Sequence, residues 1–215
     1  MPNRIRGLCK VDSTSFPYLC EEHVTIPHKS LQGLVRCNIY RPKSEEHTVH
    51  MERISLMNSK MIRHDSNRIQ SLTPVKLQRQ IIRDVTPKHK SVHSSWGTPD
   101  PAFWAAQGYA VLRADEVDSG QSPGLLDTMS KSTTDAFVDV IEWAAEQTWS
   151  NGKVDLVGIS YFGGSQWRVA ACRPNDPAAM ILCDGMNDYY RDRCRHGGIL
   201  TEFLKWWFSN SVASN

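Results

Sequence analysis

The chain has 215 residues, 40% of them hydrophobic and 22% charged, with a formal net charge of +2. That length suits one domain or a piece of a larger one, and the composition suits an ordinary buried core. A near-neutral balance supplies no electrostatic footprint for nucleic acid, and no apolar run approaches the length of a membrane-spanning helix. The six cysteines, Cys9, Cys20, Cys37, Cys172, Cys183 and Cys194, contain no Cys-x-x-Cys pair. The opening MPNRIRGLCKVDST lacks the apolar segment of a secretory leader. Buried or free thiols and a cytoplasmic location are therefore expected, with no metal, no cofactor, no nucleic-acid partner and no membrane.

Residues 1–20 read as an N-terminal tail. GLVRCNIYRP (33–42) alternates apolar and polar residues and stops at Pro42, the pattern of a strand. The next stretch is anomalous. Residues 47–93 carry 9 Lys/Arg against 3 Asp/Glu, whereas residues 94–215 carry 9 against 15. No aromatic residue lies between Arg41 and Ser95, and no glycine between Leu34 and Trp96. A folded α/β segment normally uses turn glycines and core aromatics. Residues 43–90 are thus expected to be disordered or inserted, with 47–82 poorly packed. Within them, VKLQRQIIRDV (75–85) predicts a short amphipathic helix through Leu77, Ile81, Ile82 and Val85; it reads equally well as a solvated basic face.

From Trp96 onward the elements are clear. DPAFWAAQG (100–108) predicts a short helix stopped by Gly108, and YAVLRAD (109–115) a buried strand. SGQSPG (119–124) is a loop. STTDAFVDVIEWAAEQ (132–147) predicts a helix, with Phe137, Val140, Ile141 and Ala144 on one face and Ser132 and Asp135 as a capping box. KVDLVG (153–158) is a strand, GSQWRVAACR (164–173) a helix ended by Pro174, and AAMILCD (178–184) a third strand. Strand, helix, strand, helix, strand predicts an α/β fold with a mostly parallel sheet and flanking helices.

Gly158-Ile159-Ser160-Tyr161-Phe162-Gly163 falls where the second of these strands meets its helix. A nucleophile elbow needs that place: small neighbours let the backbone turn tightly and present a serine at the sheet edge. Ser160 is then the candidate nucleophile. The backbone N–H of Tyr161 is the candidate oxyanion donor, reinforced by the helix N-terminus. Gly158 and Gly163 are the elbow glycines, although they also suit close helix–sheet packing alone.

The stretches PAFWAAQGYAVLRADE, GQSPGLLD, DVIEWAAEQTWSNGKVDLVGISYFGGSQWRVAA and DYYRDRCRHGGIL resemble the Xaa-Pro dipeptidyl-peptidase and cocaine-esterase (CocE/NonD) type of α/β-hydrolase. VTIPHKSLQGLVRCNIYRP (24–42) resembles its N-terminal strand pair. The resemblance accounts for a second glycine three residues after the serine rather than two. It implies acyl transfer on small-molecule or peptide esters and amides, through an acyl-enzyme on Ser160. It also implies a domain plan: a partial α/β-hydrolase domain over 21–185, and the start of a truncated helical cap over 186–215.

Departures from the family pattern suggest an incomplete fold. After Ser160 the one histidine is His196, in the part that resembles the cap, so it is a weak candidate for the base. Asp184, Asp188 and Asp192 read better as capping residues than as the triad acid. The family's oxyanion tyrosine would fall between Pro42 and His89, where this chain has none. Val117 and Asp118 replace the family's Arg-Gly. Residues 47–82 do not correspond to the family and read as an insertion or as the product of an altered frame. FLKWWFSNSVASN is an apolar C-terminal surface through which self-association is expected. Two readings follow: a serine hydrolase represented by its nucleophile half, or a non-catalytic homologue without acid and base.

Overall fold

Period-two side chains build the sheet, and its two faces make two cores. The computed structural model describes residues 9–28, 33–43, 54–58, 92–94, 98–125, 127–175 and 177–207. Seven strands form one sheet: β1 (Lys10–Asp12), β2 (Leu19–His28), β3 (Gly33–Arg41), β4 (Ile54–Asn58), β5 (Ala110–Ala114), β6 (Val154–Ile159) and β7 (Pro177–Cys183). Their spatial order is β1-β2-β3-β5-β4-β6-β7. The pairings β1–β2, β2–β3 and β3–β5 are antiparallel. The pairings β5–β4, β4–β6 and β6–β7 are parallel.

In β5, Ala110, Leu112 and Ala114 join one core, whereas Val111 joins the other. A strand buried on both faces reads as a continuous apolar run, as YAVLRAD does. Helices α2 (Lys131–Ala145) and α3 (Tyr161–Cys172) cover the larger core. There Phe137, Val140, Ile141 and Ala144 of α2 pack with Val169 of α3 and with Ile26, Val35, Cys37, Ile39, Val154 and Leu156 of the sheet. These are the four positions that helical periodicity marked. The smaller core holds Tyr18, Cys20, Tyr40, Val111 and Ala105, the last from α1 (Pro101–Ala106). Asp100 caps α1, accepting from the backbone N–H groups of Ala102 and Phe103.

Beyond β7 come a π-helical turn (Tyr190–Cys194), a minimal hairpin of β8 (Arg195–His196) and β9 (Ile199–Leu200), and helix α4 (Glu202–Trp207). Ile199, Leu200, Tyr190 and Phe203 are exposed here. None of the six cysteines is in a disulfide. Among the described residues no helix is long and apolar enough to cross a membrane.

Four expectations require correction. The stretch 1–20 is not all tail: β1 begins at Lys10, and Tyr18 and Cys20 are buried in the smaller core. The stretch 47–82 is not all outside the fold. Ile54–Asn58 forms β4 between β5 and β6, with Ile54 opposite both Ala110 and Val154. A central strand needs few residues when both neighbours complete its backbone hydrogen bonds, and that pairing is invisible to local composition. The expected helix at 75–85 lies outside the described residues. Helix α2 is capped by Ser130, whose side chain accepts from Thr133 N–H, and not by Ser132. Asp135 instead pairs with Lys131 at 2.6 Å, one turn earlier. Helix α3 begins at Tyr161 and not at Gly164, because the turn at Ser160 feeds directly into it.

Candidate active site

The parallel strand β6 delivers the chain to Ser160, and α3 starts at the next residue. Ser160 has φ 59° and ψ −115°. For a residue with a Cβ this is a strained backbone, costing on the order of 1–3 kcal/mol, and such strain gathers at functional sites. Two backbone hydrogen bonds hold it. Ser160 N–H donates to the Cys183 carbonyl at 2.8 Å, and Gly164 N–H donates to the Ser160 carbonyl at 2.8 Å. The first ties the turn to the end of β7; the second is the first bond of the helix. The Ser160 side chain makes no capping hydrogen bond to α3.

Close approach explains the glycines. A Cβ on Gly158 would sit 2.5 Å from the Phe162 carbonyl oxygen, so α3 could not fold back onto β6. A Cβ on Gly163 would sit 3.1 Å from the Cys183 carbonyl and 3.3 Å from Gly185 Cα, where the helix start meets the end of β7. Gly164 differs, since its Cβ would meet the Met186 sulfur, the end of a flexible side chain that can move aside. The structure thus brings Gly158, Ser160, Tyr161 and Gly163 together around one turn.

Beneath the turn lies a group the sequence did not single out. Tyr161 sends its side chain into the protein, and its hydroxyl donates to Glu116 Oε1 at 2.8 Å and Oε2 at 3.0 Å. Both residues are buried. Glu116 follows β5, and a small cavity beside it is lined by Met129, Thr133, Tyr161 and Arg168. Burial pushes the Glu116 carboxyl up to about 7, against the opposing hydrogen bond from Tyr161. The Tyr161 phenol is raised well above its usual value, first by burial and then by the Glu116 charge. The available signal was an acidic residue directly after a doubly buried strand.

The preceding loop is tightly folded. Gln121 N–H donates to Asp115 Oδ2 at 2.8 Å, and Ser122 Oγ donates to the Asp115 carbonyl at 2.9 Å. The loop therefore closes on Asp115.

His196 shares no hydrogen bond with this group. It is exposed, and its Nε2 is hydrogen-bonded to the carbonyl of Asp192 in its own segment. Other described histidines are also engaged: His28 Nδ1 with Asp139 at 2.6 Å, and His93 Nδ1 with the Tyr18 hydroxyl at 2.7 Å. Asp192 and Asp188 cap the local turn. Asp192 Oδ2 accepts from the N–H groups of Asn187 and Asp188, and Asp188 Oδ1 accepts from Arg191 N–H. Asp184 lies 3.8 Å from the Arg193 guanidinium. Nearly all of the Pro42–His89 stretch that would carry a second oxyanion donor lies outside the described residues.

A mixed sheet whose strands β5, β4, β6 and β7 run parallel, flanked by helices and carrying a strained serine between a strand and its following helix, defines an α/β-hydrolase fold. The model of the X-Pro dipeptidyl-peptidase (S15) family matches residues 34–213, and the chain belongs to that family. It is similar to cocaine esterase from Rhodococcus sp. (strain MB1 Bresler), with 29% identity over 99 residues, 45% of this chain and 17% of that protein. It is similar to the Xaa-Pro dipeptidyl-peptidase of Streptococcus pneumoniae (strain Hungary19A-6), with 24% identity over 139 residues, 58% of this chain and 18% of that one. A CocE/NonD family hydrolase from Staphylococcus aureus superposes with a TM-score of 0.72 and 27% identity, covering 98% of this chain and 37% of that one. An α-amino acid ester hydrolase shares the fold at a TM-score of 0.61 and 16% identity. The chain thus matches less than a fifth of the length of these curated relatives.

Proposed function

We propose that this chain carries the nucleophile-bearing part of a serine hydrolase acting on small esters or peptide amides. Ser160 Oγ bonds to the substrate carbonyl carbon, and the Tyr161 N–H stabilises the resulting oxyanion. Collapse expels the alcohol or amine, and water then hydrolyses the acyl-Ser160 ester. The strained backbone of Ser160 at the β6–α3 junction carries this reading, because packing alone has no need of a non-glycine residue in that conformation.

Acylation also requires a base for the hydroxyl proton. The His196 bond to the Asp192 carbonyl favours a second reading, a homologue without turnover. Loss of a triad base costs roughly 10⁶-fold in rate. Hydrolysis of p-nitrophenyl esters separates the two. The proposal expects a slow rate that Ser160→Ala removes. A rate equal to that of Ser160→Ala supports the second reading. The exposed Ile199 and Leu200 are apolar surface of the kind that self-association would cover.

A further inference from the structure

We propose that Cys20, Glu22 and His93 form a binding site for a zinc-like divalent cation. The site lies in the smaller core, on the sheet face that α1 covers, and is independent of Ser160. Cys20 and Glu22 are two residues apart on β2, so period-two geometry puts them on one face. His93 comes from the segment that precedes α1. One ligand atom from each of the three lies within 4.8 Å of the others. Donors around a tetrahedral zinc stand about 3.4–3.8 Å apart, given its bond lengths. Closing onto an ion therefore asks for shifts of about 1 Å, within the reach of side-chain torsions.

The donor types select the ion. A thiolate with an imidazole and a carboxylate suits zinc, whereas magnesium and calcium prefer all-oxygen shells. Three protein donors leave a fourth tetrahedral position for water or another ligand. The surroundings also hold the imidazole. The Tyr18 hydroxyl bonds His93 Nδ1 at 2.7 Å, and Tyr18 is 1% exposed. The rings of Phe16 and Tyr40 lie 4.6 Å and 4.8 Å from the His93 ring. Partners of this kind fix a ligating histidine's orientation. Burial first, and then the charges of Glu22, Asp12 and Glu21, hold the Cys20 thiol in its protonated form, so a cation binds there by displacing that proton. The opposing charge is that of Arg113, which acts on His93 while its guanidinium donates to the carbonyls of His93 and Pro99, at 2.6 Å each. A bound cation would tie β2 to the segment that leads into α1.

Cobalt(II) tests the site, since cysteine ligation gives a thiolate-to-cobalt charge-transfer absorption. The untagged 215-residue chain is stripped with chelator and titrated with cobalt(II), then with zinc(II). The proposal expects one equivalent of cobalt with that absorption, and its loss when zinc is added. Cys20→Ser removes the absorption, whereas Cys9→Ser and Cys172→Ser, at exposed thiols, retain it. Glu22→Gln and His93→Gln each weaken binding by at least about tenfold, a loss that even indirect partners of a metal produce. Circular dichroism of the metal-free variants checks folding. Should Cys20→Ser fail to fold, the half-buried Glu22→Gln decides. Absence of the absorption in the parent chain, its survival in Cys20→Ser, or binding indifferent to Glu22→Gln and His93→Gln would overturn the proposal.

Discussion

The hydroxyl of Tyr161 donates to both carboxylate oxygens of Glu116, at 2.8 Å and 3.0 Å. The residue next to Ser160 in sequence is therefore anchored, by its side chain, to the end of β5. Its backbone N–H is the proposed oxyanion donor, so the anchor also orients that donor. Removing the hydroxyl leaves a buried carboxylate short of a donor, which costs about 1–3 kcal/mol. Tyr161→Phe should lower the urea midpoint accordingly. Tyr161→Phe in a Glu116→Gln background should cost less, and the difference is the coupling energy of the pair. Equal costs in both backgrounds would mean that the contact carries no stability.

The same carboxylate makes stability depend on pH. Its folded value, about 7, lies above the ordinary 4.5, because burial penalises the charge. The folded state then binds more protons than the unfolded state between those two values. Stability contributed by the protonated form is fully present below about pH 4.5 and is lost as pH rises through about 7. The loss is at most roughly 3–4 kcal/mol, for a rise from 4.5 to about 7. Glu116→Gln, which cannot ionise, should flatten the fall in melting temperature between pH 5 and 7, on the scale set by that shift. Parallel profiles for the two proteins would assign the dependence to other groups.

Gly158→Ala tests the close approach of α3 to β6. The new methyl would meet the Phe162 carbonyl at 2.5 Å, and a backbone atom cannot swing aside as a side chain can. Overpacking of this kind costs about 1–3 kcal/mol. A lowered melting temperature is expected, together with loss of reactivity at Ser160 as the helix start shifts. A variant with parental stability would show that the turn has room to spare.

The elements written in local pattern were legible in the sequence. Phe137, Val140, Ile141 and Ala144 marked the buried face of α2 because helical periodicity is a property of one segment. β6 and the turn at Ser160 were legible because apolar residues and glycines punctuate them. What escaped was tertiary. ISLMN (54–58) has no strand signal strong enough to outweigh its basic, glycine-free surroundings, and it becomes β4 through pairing on both sides. Glu116 acquires its role only when Tyr161, 45 residues later, folds over it. Cys20 and His93 meet across the smaller core without any ligand spacing to announce them. The cap of α2 was misplaced by two residues because both Ser130 and Ser132 can cap, and only the backbone chooses between them.

Ser160 is proposed as a nucleophile held in a strained turn, and the described imidazoles of His28, His93 and His196 are each engaged with other partners. A fluorophosphonate probe, applied to the 215-residue chain and located by mass spectrometry, tests this most directly. Slow phosphonylation is expected at Ser160 alone, abolished by Ser160→Ala and unchanged by His196→Ala. An adduct elsewhere that survives Ser160→Ala, or no adduct at Ser160 after prolonged exposure, would contradict the elbow. Rapid labelling that His196→Ala removes would show that His196 serves as the base.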